Sequence, residues 1–297
     1  MGQRPGCNSR HLLRQKEHTM NPSSNVDVQV TPDPEWVRNA RYVELLARLG
    51  ESNLPPGGFS TVRQLISATH LRPGMRVLHA GCNAGFLGRE VARRTGATVC
   101  GIDISSEMAE AATRRARSEK LEGLLSYQAM DMRSMSFENA TFDVVLSGGS
   151  LAFVEGQAEA VGEWVRVCKP GGLIANAEFY YRDAPPADLL SRISEAIEVN
   201  VPEYSREHWF NLFRPHDLVP YYSSDDRAVA KSTDEVNAYC RRMVDFAAHD
   251  WPASAQQVLH ERLCVLFQLF NENMGHLYCL TMVHRTATTN QEPLLYV

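Results

Sequence analysis

The chain has 297 residues, of which 44% are hydrophobic, with a formal charge of −5 and a pI of about 6.1. This length and apolar content suffice for a full core and exclude global disorder, while the acidic balance excludes nucleic-acid binding through phosphate neutralisation. No apolar run reaches the roughly 18 residues of a membrane span, so membrane insertion is not expected.

Residues 1–30 are polar and aperiodic, rich in Gly, Pro, Ser and Asn, and read as a disordered extension in which Met20 rivals Met1 as the start. A helical segment, 31–72, follows. "PDPEWVRNARYVELLARLG" reads as one helix, with Asp33 as N-cap, Pro34 in the first turn and Gly50 as the stop. Its apolar stripe is Trp36, Val37, Ala40, Val43, Leu46 and Ala47. "LPPGGFST" reads as a turn, and Ser60 to Thr69 as a second helix.

Between residues 73 and 182 the period alternates. "MRVLHA", "TVCGIDIS", "LLSYQAMD", "FDVVLS" and "LIANAEFYY" read as strands. "GFLGREVARRTG", "SEMAEAATRRARSEK" and "GQAEAVGEWVRVCKPGG" read as helices, the last ended by Pro-Gly-Gly. Strands alternating with helices imply βαβ units and a parallel sheet. Over residues 183–274 the regularity weakens, with Pro185, Pro186, Pro202 and Pro215 as punctuation. Residues 183–215, 231–249 and 254–273 read as helical, and "DLVPYY" as a sixth strand. Residues 275–297 hold "GHLYCLTMVHR", a last strand, and a tail. The expected fold is α/β, a Rossmann-like doubly wound sheet, mostly parallel with an antiparallel last strand. The N-terminal and inserted helices are expected to form a lid.

Seven cysteines are scattered without C-x-x-C spacing and read as reduced thiols of a cytoplasmic protein. The ten histidines form no HExxH and no paired His/Cys set, so no metal site is expected. A homo-oligomer is left open.

The chemistry begins at "VLHAGCNAGF", where a strand runs into small residues and then a helix. The order Gly81, Asn83, Gly85, Gly88 fails the dinucleotide fingerprint G-x-G-x-x-G, because Phe86 occupies the position of its third glycine. Asn is the non-glycine residue that best enters the left-handed region, so Asn83 substitutes for a turn glycine. Alone, the motif is equally a ligand-free tight turn. "GIDIS" then places Asp103 at the end of the next strand, where a carboxylate accepts both hydroxyls of a ribose, and "AMDM" places Asp131 at the end of the strand after.

With "VLHAGCNAGFLG", "GIDIS", "AMDMRSM", "FDVVLSGGSLAFVEG" and "VRVCKPGGLI" in this order over roughly residues 75–180, the chain resembles the class I S-adenosylmethionine-dependent methyltransferases of small-molecule type. The resemblance implies S-adenosyl-L-methionine as cofactor. It implies that Gly81, Cys82 and Gly85 pack against the methionine part and that Asp103 takes the ribose diol. Ile104 and Met132 would sandwich the adenine, Asp131 would meet its amino group, and Ser147 would end the fourth strand beside the sulfonium. His79, Asn83 and Met108 complete the implied cofactor set. His79 stands where the family usually has an acidic residue; neutral, it accepts a bond from the cofactor's ammonium, and protonated it repels it.

Ser147-Gly148-Gly149-Ser150 stands where DNA and protein-glutamine amino-methyltransferases carry [DN]-P-P-[YF], which argues for another substrate class. No acidic metal set is visible there, which argues against a magnesium-dependent catechol enzyme. Residues 183–270 exceed what the bare fold needs and suit a cap over a small-molecule pocket. Phe179, Tyr180, Tyr181, Trp209, Phe210, Phe213, Tyr221 and Tyr222 read either as core or as a π-lined cavity for an aromatic, prenyl or cationic group. The expected substrate-side residues are Tyr42, Phe59, Tyr181, Trp209, Phe213 and Tyr221. The expected catalytic residues are Glu178, Tyr180 and His208, with Glu178 the general base, and His216 is a weaker candidate. The first functional reading is C-methylation of an isoprenoid or aromatic small molecule in natural-product metabolism. N- or O-methylation of a metabolite, or a non-catalytic cofactor-binding scaffold, are the alternatives.

Overall fold

The computed structural model describes residues 32–49 and 54–288. The expected extension over 1–30, the Gly50 stop and the tail beyond Thr288 lie outside the described residues. Seven strands form one sheet: β1 (Arg76–Ala80), β2 (Thr98–Asp103), β3 (Leu125–Ala129), β4 (Phe142–Gly148), β5 (Cys168–Tyr181), β6 (Leu218–Arg227) and β7 (Leu277–Thr286). Their order is β3-β2-β1-β4-β5-β7-β6. Strands β1 to β5 are parallel, and β7 runs antiparallel between β5 and β6. The chain starts mid-sheet at β1, builds outward to β3, then crosses to β4. The crevice for a ligand in such a sheet lies where the order reverses, outside the carboxyl ends of β1 and β4.

The central strands are apolar because both faces are covered. Leu78, Ile102, Val145 and Ile174 bury one face with Trp164 of α6 (Gln157–Val167). Val77, Val99, Val144 and Leu146 bury the other, with Leu65 of α3 (Phe59–Thr69) and Val91 of α4 (Phe86–Thr95). Helix α5 (Ser106–Ser118) links β2 to β3. Helix α6 stops at Val167 rather than at Pro-Gly-Gly, because Cys168 already pairs with Phe142. The chain then bulges before β5 regains register at Val144 and Leu173.

The helix expected over the first segment is two, α1 (Pro34–Asn39) and α2 (Tyr42–Leu49). Asp33 caps α1 by accepting from the Trp36 N–H at 2.7 Å. The break falls at Ala40, whose ψ of 135° is extended. Side chains replace the backbone bonds that a continuous helix would make. Glu44 accepts from the Arg41 N–H at 3.1 Å, and Arg262 donates to the carbonyls of Val37 and Ala40 at 2.6 and 2.5 Å. The break turns Val43 outward, 37% exposed, and points Leu45, Leu46 and Leu49 inward.

Four more helices follow β5: α7 (Leu189–Ile197), α8 (Arg206–Phe213), α9 (Thr233–Ala247) and α10 (Ala253–Met274). Val37, Leu45 and Leu49 share a core with Val236, Cys240 and Val244 of α9 and Leu259 and Leu263 of α10. Helices distant in sequence therefore form a single cap. At the far sheet edge, Pro220 sits on β6, where a missing N–H is tolerated and the register shifts before Tyr222. Among the described residues no helix is long and apolar enough to cross a membrane.

Candidate active site

A cavity of about 1190 Å³ lies between the carboxyl ends of the parallel strands and the cap. Its floor begins at the turn after β1. Asn83 adopts φ 51°, the left-handed conformation that its side chain tolerates, and its N–H donates to Asp103 Oδ2 at 2.8 Å. Asp103 Oδ1 accepts from the Ser105 N–H at 3.0 Å, and Ser105 in turn caps α5. Both oxygens are thus positioned by backbone donors at the end of β2, and burial pushes this carboxyl above the usual range while those donors oppose the shift. Ile104 beside it is 75% exposed and lines the cavity, as does the nearly buried Met132. A carboxylate acceptor at a strand end, flanked by a bare aliphatic side chain and a thioether, fits the hydroxyls and base of a nucleoside.

Gly81, Cys82 and His79 line the same end. His79 is buried, its Nδ1 has no hydrogen-bond partner, and burial pushes its pKa down to about 4, so the ring is neutral near pH 7. Burial raises the Cys82 thiol, which keeps it protonated. Asp131 lines the cavity too, but its carboxylate is taken by Arg133, Nη2 to Oδ2 at 2.7 Å, which holds its pKa below the usual range. Gly85, Met108 and Ser147 do not line the cavity. Gly85 caps α4 at φ 82° and packs on Tyr127. Met108 is buried with Leu46, Ala84 and Ala111. Ser147 is fully buried and bonds Ser150 at 2.9 Å; Ser150 reaches the cavity and ties the end of β4 to the Ala80 carbonyl at 3.0 Å.

Glu178 is fully buried on β5, beside Leu280 of β7, and lines the cavity. Neither of its oxygens has a hydrogen-bond partner, and neither has the Asn176 side chain, two residues earlier on the same strand face. Burial pushes the Glu178 carboxyl up to about 8, moderated by the nearby Leu151 and Ala152 N–H groups and the Asn176 amide. A carboxylic acid poised near neutrality in a cavity is able to take or give a proton.

The cap contributes the apolar wall. Tyr42, Phe270, Phe267 and Tyr239 form a row of edge-to-face rings with centroid separations of 5.9, 5.8 and 5.3 Å, and all four line the cavity. Burial raises the Tyr42 phenol to about 12, so it stays neutral. Tyr181 also lines the cavity and donates to Asn273 Oδ1 at 2.9 Å. The glycines after β4 admit the Pro55–Pro56 segment. A side chain on Gly149, at φ 95°, would come within 2.9 Å of Pro56.

The remaining expected residues lie elsewhere. Tyr180 stacks on Tyr278 at 5.4 Å, away from the cavity. Trp209 is buried, with its indole N–H on the Phe179 carbonyl at 2.9 Å. Phe213 stacks on His284 at 4.6 Å, Phe59 meets Phe86, and Tyr221 meets His70. His208 bonds Gln157 at 2.8 Å and stacks at 4.1 Å on Tyr204, which does line the cavity. Tyr204, Tyr239, Phe267, Phe270 and Met274 escaped the sequence reading. The signal was present at Phe267, Phe270 and Met274, spaced by three and four residues on α10, beside the buried stripe of Leu259, Leu263 and Leu266.

Two predictions test this geometry. Asn83→Gly leaves folding and cofactor binding near wild type, whereas Asn83→Val costs about 1–2 kcal/mol of stability and displaces the N–H from Asp103; a Val variant with unchanged melting and binding contradicts the left-handed turn. The second concerns Glu178. Below its ordinary value of 4.5 the group is neutral in folded and unfolded chains alike; above that, the unfolded chain ionises first, so folded stability declines until about pH 8. Glu178→Gln removes that decline. The Tm difference between variant and wild type therefore grows in the variant's favour from pH 4 to pH 8, and a pH-independent difference contradicts the buried, unpaired carboxyl.

Comparison with known proteins agrees with the geometry. A family model described as a methyltransferase domain matches residues 78–176. The "Methyltransferase GfsG" of Streptomyces halstedii is 30% identical over 160 residues, spanning 54% of this chain and 52% of that protein. The chain therefore spans about half the length of that curated relative. Among solved structures, the MccD protein superposes with a TM-score of 0.66 at 26% identity, covering 79% of this chain and all of that one. Geranyl diphosphate C-methyltransferase from Streptomyces coelicolor A3(2) superposes with a TM-score of 0.58 at 18% identity, covering 87% and 99%, which shows a shared fold. Residues 78–176 therefore carry a methyltransferase domain, set in a sheet whose fold is that of known methyltransferases.

Proposed function

We propose that the protein transfers a methyl group from S-adenosylmethionine to a carbon of a small apolar molecule, of isoprenoid or aromatic type, in natural-product biosynthesis in the cytoplasm. The observation that carries this reading is the row Tyr42, Phe270, Phe267 and Tyr239 facing a cavity of about 1190 Å³. That volume exceeds the roughly 300–1,000 Å³ of a single-ligand pocket and suits a cofactor with an acceptor beside it. Geranyl diphosphate C-methyltransferase, which shares the fold, supports the substrate class by analogy.

The bound cofactor supplies an electrophilic methyl group on a sulfonium. The chain's residues bind, orient and exclude water. Asp103 holds the ribose hydroxyls, with Ile104 and Met132 on the adenine faces and Gly81 and Cys82 along the methionine part. The aromatic row and Tyr181 confine the acceptor, and their ring faces stabilise positive charge that develops on it. Glu178 accepts the proton that the methylated carbon must lose. Tyr204, braced by His208 and Gln157, positions the acceptor beside Glu178.

Asp103→Ala removes a charge-assisted two-point contact of roughly 1.5–3 kcal/mol, so cofactor affinity falls about tenfold or more; unchanged affinity by calorimetry in the folded variant refutes the cofactor assignment. At saturating cofactor, Glu178→Gln lowers turnover by about 100-fold while affinity for S-adenosylhomocysteine stays within about threefold. Turnover near wild type makes Glu178 structural and favours a self-sufficient nucleophile such as an amine.

A further inference from the structure

Glu178 carries more than a base. Both of its oxygens are buried without partners, yet it lines the same continuous cavity as Gly81, Asp103 and Ser150. Arg133, Lys231 and Arg242 line the cavity, but none of them acts on this carboxyl, and the Leu151 and Ala152 N–H groups and the Asn176 amide only moderate its burial, so the group is largely protonated near neutral pH until a positive charge is placed beside it. A protonated acid is no base. The reaction brings a sulfonium with it and removes that positive charge when the methyl group leaves, whereas the cofactor's ammonium is unchanged.

We propose that binding of S-adenosylmethionine itself ionises Glu178, so that the cofactor's charge arms the base and its loss disarms it. The proposal rests on the reading that this cavity holds the cofactor. The proton balance closes. On cofactor binding the Glu178 proton goes to bulk water; during turnover the proton leaving the acceptor carbon takes its place on the carboxylate. The product state then holds a neutral acid beside a neutral thioether. The site thereby favours the substrate form of the cofactor over S-adenosylhomocysteine, and the favour grows with pH.

The cavity is also lined by Asp131 and Arg133, which pair with each other, and by Glu155, Lys231, Glu235 and Arg242, none of which contributes to the displacement of the Glu178 carboxyl. Strand β7 presents Leu280 beside Glu178, and β4 ends at Gly148, opposite the preceding Ala177. The turn at Leu151–Phe153 presents the Leu151 and Ala152 N–H groups, and β5 itself presents Asn176. The segment before α8 presents the Tyr204 phenol, whose pKa is raised chiefly by burial, with a smaller contribution from Glu178. His79 lies at the cavity floor and is neutral over the working range. Asp103 is the one other carboxyl in the cavity that burial raises, and it is held by backbone donors that are the same for either ligand.

The test measures dissociation constants of S-adenosylmethionine and S-adenosylhomocysteine by calorimetry from pH 6 to 8, on full-length wild type, Glu178→Gln and Asp103→Asn. The ammonium belongs to both ligands, so its titration cancels in their ratio. Wild type and Asp103→Asn show preference for S-adenosylmethionine rising about fivefold or more over this range, as a carboxyl pKa displaced by about one unit gives. Glu178→Gln shows a flat ratio. Wild-type titrations at pH 7 in buffers of different ionisation enthalpy show proton release with S-adenosylmethionine and none with S-adenosylhomocysteine. A flat wild-type ratio, or a rise that survives in Glu178→Gln, overturns the proposal while leaving the methyltransferase reading intact. Failure of both ligands to bind wild type overturns that reading instead.

Discussion

The hydrogen bond from the Asn83 N–H to Asp103 joins the turn after β1 to the end of β2. The turn needs a residue able to enter the left-handed region, and the carboxylate needs donors to compensate its burial. Each supplies what the other lacks. Asp103 also accepts from Ser105, which caps α5, so one side chain coordinates two strand ends and a helix start. A second link, Ser150 to the Ala80 carbonyl and to Ser147, fixes the end of β4 against β1. The floor of the cavity is therefore set before any ligand arrives, which is where preorganised binding gains most.

The roof has a different origin. Helices α1 and α2 precede the sheet and α9 and α10 follow most of it, yet they share one core around Leu45, Val244 and Leu263. Arg262 secures the joint by taking the carbonyls freed where the first helical segment breaks. The face of this unit that lines the cavity carries the four rings of Tyr42, Tyr239, Phe267 and Phe270 among aliphatic residues such as Leu46 and Val236. Aromatic rings accommodate both apolar bulk and positive charge. The cavity thus lies between a roof carrying a row of rings and a floor carrying an ionisable acid, the arrangement on which the proposed carbon methylation rests.

Much of this was legible in the sequence because periodicity reports burial. The five parallel strands, the glycine turn and the carboxylates at residues 103 and 131 all follow from apolar runs ended by small or acidic residues. The single helix expected through Ala40 failed because capping side chains outweigh an unbroken apolar stripe. The aromatic residues were harder, since composition does not reveal which face a ring takes. Trp209 and Phe213 lie on a helix whose apolar side seals the sheet, so they became core. Phe267 and Phe270 look like core in the sequence, and Phe267 does pack against the core shared with α9 and α1, yet both also line the cavity. Long-range packing decides such cases, and a lone sequence does not contain it.

The most direct test of the account is a crystal structure of the protein with S-adenosylhomocysteine and the cap closed over it. The account predicts the ribose hydroxyls on the Asp103 carboxylate, the adenine between Ile104 and Met132, and the sulfur turned toward the space between Glu178 and the row from Tyr42 to Tyr239. A ligand bound away from Asp103, or a sulfur separated from Glu178 by protein, would contradict it.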